Sequence, residues 1–262
     1  MEHPSSASFT RPKHVDIELV SVAYRNRSFP VHMHDQYVVG VVESGGETLT
    51  IDGTSYEVGE GDMITIDAGT AHANATLGDA TLRYRVFYIR AEVARSYVGR
   101  SDLRFPAPVR CDPACARRLL ELHRWFEAGT GDRLEEDTAL AEIVGIAFAA
   151  AVEPDRDDRL SEAVRRAKGY IDARYDENFG LDELADAAGV TKYHLARSFT
   201  RAHGLSPLAY RTQRRIHAAK EMVLAGAPLA DVASDLGFAD QSHLTRQFQS
   251  MVGISPARYR EQ

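Results

Sequence analysis

The sequence states one phrase twice. HLARSFTRAHGLSPLAYR occupies residues 194–211, and HLTRQFQSMVGISPARYR occupies residues 243–260, 49 residues later. Upstream, Leu181, Ala185 and Gly189 match Leu229, Ala233 and Gly237 at an offset of 48, and one residue is then inserted. His194, Leu195, Arg197, Phe199, Gly204, Ser206, Pro207, Tyr210 and Arg211 coincide with His243, Leu244, Arg246, Phe248, Gly253, Ser255, Pro256, Tyr259 and Arg260. A match this dense is a structural duplication, and it confines the C-terminal part to a fold with two equivalent units.

Each copy spells a helix–turn–helix. LDELADAA reads as a short amphipathic helix with Leu181, Leu184, Ala185 and Ala188 inward, closed by Gly189 as a C-cap glycine. Thr191 then has the chemistry to cap the next helix; in the second copy Asp240 takes that position. The second helix of each pair is expected to bury Leu195, Phe199 and Ala202, or Leu244, Phe248 and Met251, at one-face spacing. Its other face carries Lys192, Tyr193, His194, Ala196, Arg197 and Arg201, or Gln241, Ser242, His243, Thr245 and Arg246. These side chains suit base edges and phosphates: Arg for guanine, Gln for adenine, Ser and Thr for either or for a thymine methyl. They lie in the first turns, the part of a recognition helix that enters the major groove.

Charge supports a polyanion partner locally. The chain has a net charge of −7, yet residues 159–262 hold fifteen Lys and Arg against twelve Asp and Glu. Residues 191–220 hold seven basic side chains and no acidic one. A local field matters more to DNA than the total does. Between the copies, SPLAYRTQRRIHAAKEMVLAG reads as one helix of about 20 residues, ~30 Å long. Successive major-groove faces lie ~34 Å apart, so such a rod suits two reading heads on one side of a duplex.

The N-terminal half has a different period. Residues 15–107 carry short runs rich in Val, Thr and Tyr, such as YVVGVVE, ETLTIDG and TLRYRVFYI, separated by Gly and Pro signals. That pattern predicts a sandwich or barrel, with Asp52 and Gly53 as a hairpin turn. Residues 108–152 read as two helices, the first started by Asp112 and Pro113. They either complete the first domain or form a dimer seam; periodicity does not separate the two. Residues 1–14 read as a flexible tail, EPDRDDR at 153–159 as a linker, and residues 160–262 as the helical domain. The two cysteines, Cys111 and Cys115, are no disulfide framework and fit a reducing, cytoplasmic setting. No apolar run reaches the ~18 residues of a membrane span, and the N-terminus lacks a signal-peptide core.

Residues 160–262 resemble the AraC/XylS-type DNA-binding domain, most closely in DVASDLGFADQSHLTRQFQSMVGISPARYR. The resemblance implies seven helices with two helix–turn–helix units near 181–204 and 229–253, binding promoter DNA to control transcription, usually by activation. Carried over by position, it makes Tyr193 and Arg197 base readers in the first unit. In the second the readers are Gln241, Ser242, His243, Thr245 and Arg246. Lys192 and Arg201 join the DNA-binding set on their charge and place. Ala196 departs from the longer polar residue many members carry, so the first unit is expected to read fewer bases. FPVHMHDQY at 29–37 and GDMITIDAGTAH at 61–72, with Asp67 where proline is usual, resemble the two motifs of a cupin barrel. The fold class expected is therefore α+β multidomain: a cupin-like double-stranded β-helix barrel followed by an all-α double helix–turn–helix domain.

The barrel motifs raise a rival function. Cupin enzymes hold a metal with two His from HxH, a following Glu and a later His. His32, His34 and His72 stand in the His places, but the Glu is missing: Asp35 adjoins His34 and alternation turns it away, and Gln36 is a poor substitute. We therefore expect no metal and no cofactor, and a small-molecule effector pocket lined by His32, His34, Tyr37, His72, Arg83 and Arg85, the two Arg favouring an anion if inward. The expected function is a ligand-responsive transcriptional regulator, not an enzyme. Its expected partners are promoter DNA, an effector, RNA polymerase and a second copy of the chain. The alternative is a metal-dependent cupin enzyme with an appended DNA-binding module.

Overall fold

A computed structural model describes residues 6–99, 103–149, 151 and 162–261. The chain divides into two compact units, the second of which takes in residues 29–32 as well as the C-terminal helical part. The N-terminal part of the chain holds the strands β1 (Ser6–Thr10), β2 (Ile17–Tyr24), β3 (Ser28–His32), β4 (Tyr37–Ser44), β5 (Gly46–Ile51), β6 (Thr54–Gly59), β7 (Asp62–Ile66), β8 (His72–Thr76), β9 (Leu82–Ile89) and β10 (Val109–Cys111). It also holds the helices α1 (Ala91–Val98), α2 (Pro113–Ala128) and α3 (Arg133–Phe148). The strands make a six-stranded sheet, β1-β2-β9-β4-β7-β10, and a four-stranded sheet, β3-β8-β5-β6. The β5–β6 hairpin turns at Asp52 and Gly53, both at positive φ (50° and 77°), the backbone a two-residue hairpin of matching twist requires.

The larger sheet is covered on both faces, which explains the unbroken apolar run of β4. Tyr37, Val39 and Val41 of β4 pack with Phe87 and Ile89 of β9 against Leu119, Leu122 and Phe126 of α2 and Leu140 and Ile143 of α3. The alternate residues, Val38 and Val42 on β4 and Leu82 and Val86 on β9, are also buried and face the smaller sheet. Each fully buried Leu or Phe of α2 contributes ~1.5–3 kcal/mol. Leu119 and Ile143 are entirely buried. The helices therefore complete the first domain, and a domain end at 107 cuts through one core: β10 itself pairs with β7, Val109 opposite Ile64.

Two further expectations change. Of the expected flexible tail, residues 6–10 are strand β1, paired along its length with β2. Without it the outer edge of β2 would expose its N–H and C=O groups, and Ala7 is buried in the cover it makes. Residues 1–5 and the linker expected at 153–159 lie outside the described residues.

The second unit has seven helices among the described residues: α4 (Glu162–Arg174), α5 (Leu181–Ala188), α6 (Lys192–His203), α7 (Pro207–Leu224), α8 (Leu229–Asp235), α9 (Gln241–Val252) and α10 (Pro256–Arg260). α5 and α6 form the first helix–turn–helix, α8 and α9 the second. α7 links them with 18 residues, about 27 Å of rod. Leu195, Phe199, Leu244 and Phe248 are fully buried as expected. Leu181 and Ala202 are instead exposed, and His203 turns in against Phe199 at 4.6 Å between ring centroids. No described helix is long and apolar enough to cross a membrane.

Candidate functional site

The shared letters of the repeat build the two units. Thr191 accepts a hydrogen bond from the His194 N–H at 3.4 Å, and Asp240 accepts one from the His243 N–H at 2.6 Å, so each second helix starts on a capped first turn. Gly204 and Gly253 end those helices in left-handed geometry, at φ 67° and 91°. Ser206 and Ser255 then cap the next helices, with Pro207 and Pro256 at their starts. Phe199 meets Tyr210 at 5.5 Å, and Phe248 meets Tyr259 at 5.4 Å, in edge contacts. The repeated Arg is structural as well. Arg211 donates to the Phe179 carbonyl at 2.8 Å, and Arg260 donates to those of Val223 and Ala227.

One clamp ties the second turn to the segment ahead of α5. Arg215 of α7 is buried and donates to the carbonyls of Tyr175 (2.6 Å), Glu177 (2.8 Å) and Gly237, and to Asn178 Oδ1 (3.1 Å). Burial, with Arg211 nearby, pulls its pKa down to about 10. It remains charged at neutral pH, and the carbonyl cage is what makes a buried cation tolerable.

The outward letters are only partly shared: His194 matches His243 and Arg197 matches Arg246. Tyr193 is 77 % exposed, and His194, Arg197 and Arg201 on α6 and Gln241, Ser242 and Arg246 on α9 are exposed too. Ala196 and Thr245 are half-buried at equivalent places. Two members are engaged by the protein. Lys192 ion-pairs with Asp182 of α5 at 2.9 Å. His243 Nδ1 accepts from the Ala239 N–H at 3.4 Å and its ring stands against Phe238, which leaves Nε2 as the protonated, outward nitrogen. Donors thus crowd the first turns of both second helices, the chemistry that meets base edges and phosphates.

The barrel interior differs from the expectation at three residues. Tyr37 points to the helical layer, not into the barrel: its hydroxyl donates to the Leu103 carbonyl at 2.7 Å and its ring packs on Phe105 and Phe148. Arg83 and Arg85 share the parity of Phe87 and Ile89, so they also face away from the interior. Arg83 is exposed. Arg85 pairs with Glu43 at 3.0 Å and with Glu127 of α2, beside the fully buried His123. Burial tends to raise the Glu127 pKa, but His123 and Arg85 outweigh it and hold it at about 2. The anionic-ligand expectation loses its cations with this arrangement.

The histidines do converge. His32, His34 and His72 each offer a ring nitrogen within 4.8 Å of the others. His32 Nδ1 bonds the Pro30 carbonyl at 2.8 Å and His72 Nδ1 bonds that of Thr70 at 3.0 Å, which sets the Nδ1–H tautomer and leaves Nε2 as the lone-pair nitrogen. Two such donors with His34 beside them fit a divalent cation with an open position, and anchored Nδ1 atoms are the usual outer support. The carboxylate ligand is not replaced: Asp35 is exposed. Asp67, standing where the resemblance expects proline, accepts from the Phe105 N–H at 2.8 Å and holds that segment down.

Residues missed in the sequence complete the interior. Tyr84 and Tyr88 of β9 take the inward parity, and His34 stacks on Tyr88 at 4.8 Å and near His72 at 5.3 Å. Glu47 of β5 is 2 % exposed and accepts from the Asn74 amide at 2.9 Å. Burial raises its pKa to about 7, the Asn74 hydrogen bond pulling the other way. Tyr84 is pushed well above the ordinary phenol range by burial and by Glu47, Tyr24 and Tyr88 around it. The signal available was Arg85 matched to the His123 and Glu127 pair, four residues apart on α2, which would have assigned the outward face.

Known proteins carry the same two parts. The AraC-like ligand binding domain profile matches residues 14–144, and a helix-turn-helix domain profile matches residues 184–262. The HTH-type transcriptional regulator YbfI of Bacillus subtilis is 30% identical over 250 residues, 89% of each chain. The bifunctional transcriptional activator/DNA repair enzyme AdaA of the same organism is 33% identical over 81 residues, 30% of this chain and 38% of that one. Among solved structures, an apo ToxT variant from Vibrio cholerae aligns at a TM-score of 0.65 with 14% identity, over 96% of this chain and 99% of that one. ToxT with an unsaturated fatty acid bound aligns at 0.60 with 13% identity, over 95% and 96%. At those identities the likeness shows the fold alone. A sensor barrel and a doubled reading domain, matched nearly end to end by YbfI, make this chain a member of the AraC family of DNA-binding transcriptional regulators with a ligand-binding domain.

Proposed function

We propose that this regulator is an activator that reads a bipartite promoter site with Tyr193, Arg197 and Arg201 on one head and Gln241, Ser242, His243, Thr245 and Arg246 on the other. Lys192 contributes charge beside the first. The observation that supports this most is the exposure of donor-rich first turns on the two units that the 18-residue α7 links. The protein works in the cytoplasm as a homodimer that contacts RNA polymerase, and the barrel interior, including His32, His34 and His72, takes a small effector. Effector binding acts by favouring one arrangement of the DNA-binding domains, which requires different affinities in the two states. Selection from a randomised duplex pool tests the reading. Two conserved blocks one helical turn apart are expected. A single block, or no enrichment, overturns it.

A second reading, a metal-dependent cupin enzyme with a DNA-binding module, is favoured by the convergence of the three histidines alone. Elemental analysis of the purified chain decides. Stoichiometric iron, zinc or manganese that is lost in His34→Ala supports that reading; sub-stoichiometric metal removes it.

A further inference from the structure

We propose that the effector of this barrel carries a protonated amine, seated against the carboxyl of Glu47 and walled by the rings of Tyr24, Tyr84 and Tyr88. The inference rests on the reading that the barrel interior takes an effector, and it names the chemistry of that ligand.

Among the described residues, the inward face offers a carboxyl with an open oxygen, while the cations near it are already engaged. Glu47 stands on β5 opposite Val58 of β6, facing inward with 2 % exposure. One of its oxygens accepts from Asn74 of β8 at 2.9 Å; the other has no donor among the described residues. Tyr84 from β9 is close enough for its ionisation to feel Glu47, with Tyr24 of β2 and Tyr88 of β9 beside it. Beyond Tyr88 stand His34 and His72. A carboxylate with an open lone pair and aromatic faces around it are what a desolvated ammonium group needs: a charge-assisted hydrogen bond and cation–π attraction.

The described cations that would suit an anion face away or are already engaged by the protein. Arg83 and Arg85 face away, and Arg85 is spent on Glu43 and Glu127. Arg27 stacks on Tyr24 at 5.1 Å, and Arg11 is paired with Glu18 at 2.7 Å. The ionisation of Glu47 is governed by burial and by Asn74, with no cation contributing. Burial therefore keeps Glu47 largely protonated below neutral pH. An incoming ammonium must ionise it, and the proton leaves to solvent as the ion pair forms. Binding is accordingly linked to pH: affinity rises with the ionised fraction of Glu47, about tenfold from pH 6 to pH 8 for a group titrating near 7.

Full-length protein tests this with matched probes that differ in one pole: 2-phenylethylamine, 2-phenylethanol and phenylacetate, and hexylamine, hexanol and hexanoate. Thermal shift and calorimetry are read at pH 6 and pH 8. The expected result is binding of at least one amine, tenfold or more tighter than its alcohol and acid, strengthening about tenfold across that range. Glu47→Gln keeps the Asn74 bond and should lose both the amine preference and the pH dependence. If an acid or alcohol binds better than its amine, the amine assignment falls while the effector reading stands. If the pH dependence survives in Glu47→Gln, it belongs to the histidines and the Glu47 seat is overturned. If no probe binds, the amine seat is overturned; only a barrel that also stays silent to every other metabolite class removes the effector reading.

Discussion

The two helix–turn–helix units agree where structure is made and differ over much of their outward faces. Both use a capping side chain, a left-handed glycine, a Ser-Pro start, a buried Phe–Tyr contact and an Arg tied to backbone carbonyls. At the outward positions the first unit shows Lys192, Tyr193 and Ala196 where the second shows Gln241, Ser242 and Thr245. Duplication thus preserved the scaffold and freed the reading surface. Arg197 and Arg246, like His194 and His243, are outward and the same, and both Arg are exposed. The units also differ in support: the second turn is held by the Arg215 clamp at Gly237, while the first turn glycine, Gly189, has only the Arg166 guanidinium near it.

That difference predicts the largest effect. A Cβ at Gly237 would sit 2.4 Å from the Asp176 carbonyl oxygen and 2.7 Å from Arg215 Nη2, on a backbone with φ 67°. A Cβ at Gly189 meets nothing closer than 3.8 Å, at φ 73°. Gly189→Ala is expected to cost about 1–2 kcal/mol, the left-handed strain alone. Gly237→Ala adds overpacking against backbone and a displaced clamp, about 3–5 kcal/mol together. Denaturation followed by the far-ultraviolet helix signal measures both. The single tryptophan, Trp125, lies in α2 of the other unit, so its fluorescence should not move. Equal costs at the two glycines would break the claim that the second turn is the more tightly built.

The contrast between the domains shows why one half was legible and the other half only partly so. In the repeat, each informative letter is local chemistry: Thr191, Asp240, Ser206 and Ser255 cap the helices beside them, and Gly204 and Gly253 close their own. Such signals need no knowledge of distant chain. In the barrel, period-two alternation put Arg83 and Arg85 on one face with Phe87 and Ile89, but did not say which face was the interior, because α2 and α3 bury the other side too. Tyr37 failed for the same reason. The three histidines were found because a motif of defined spacing carries them; Glu47, Asn74 and Tyr84 belong to no such motif and meet only through pairing of β5 with β8 and packing against β9. Strand β1 was missed because SASFT is polar and short, and its place follows from the edge of β2 that it covers.

A smaller effect tests whether the heads act as two. Arg246→Ala should cost about 1–3 kcal/mol at one base pair and relax preference there; Arg197→Ala should do the same at a different base pair, one helical turn away. Quantitative binding to single-substitution operator libraries measures both. Loss that is uniform over all sequences would make either Arg a phosphate contact, and loss at the same base pair would show that one head alone reads DNA.

The smallest predicted effect is the sharpest on the comparison. Ala196 and Thr245 occupy equivalent half-buried places, and the alanine is the shortest side chain on either reading surface. Ala196→Thr should cost the helix only a few tenths of a kcal/mol in propensity, because the position is outward and α6 is already capped by Thr191. Its new hydroxyl and methyl can meet one base edge, so preference under the first head should sharpen by less than about 1 kcal/mol, and overall affinity should stay within a few-fold. The outcome is read in the same operator libraries. A new preference confined to one base pair would show that the two surfaces are interchangeable slots on one scaffold. A loss of tenfold or more on every sequence would mean that the first head approaches DNA too closely for any side chain there, and that its alanine is a docking requirement with no equivalent in the second unit.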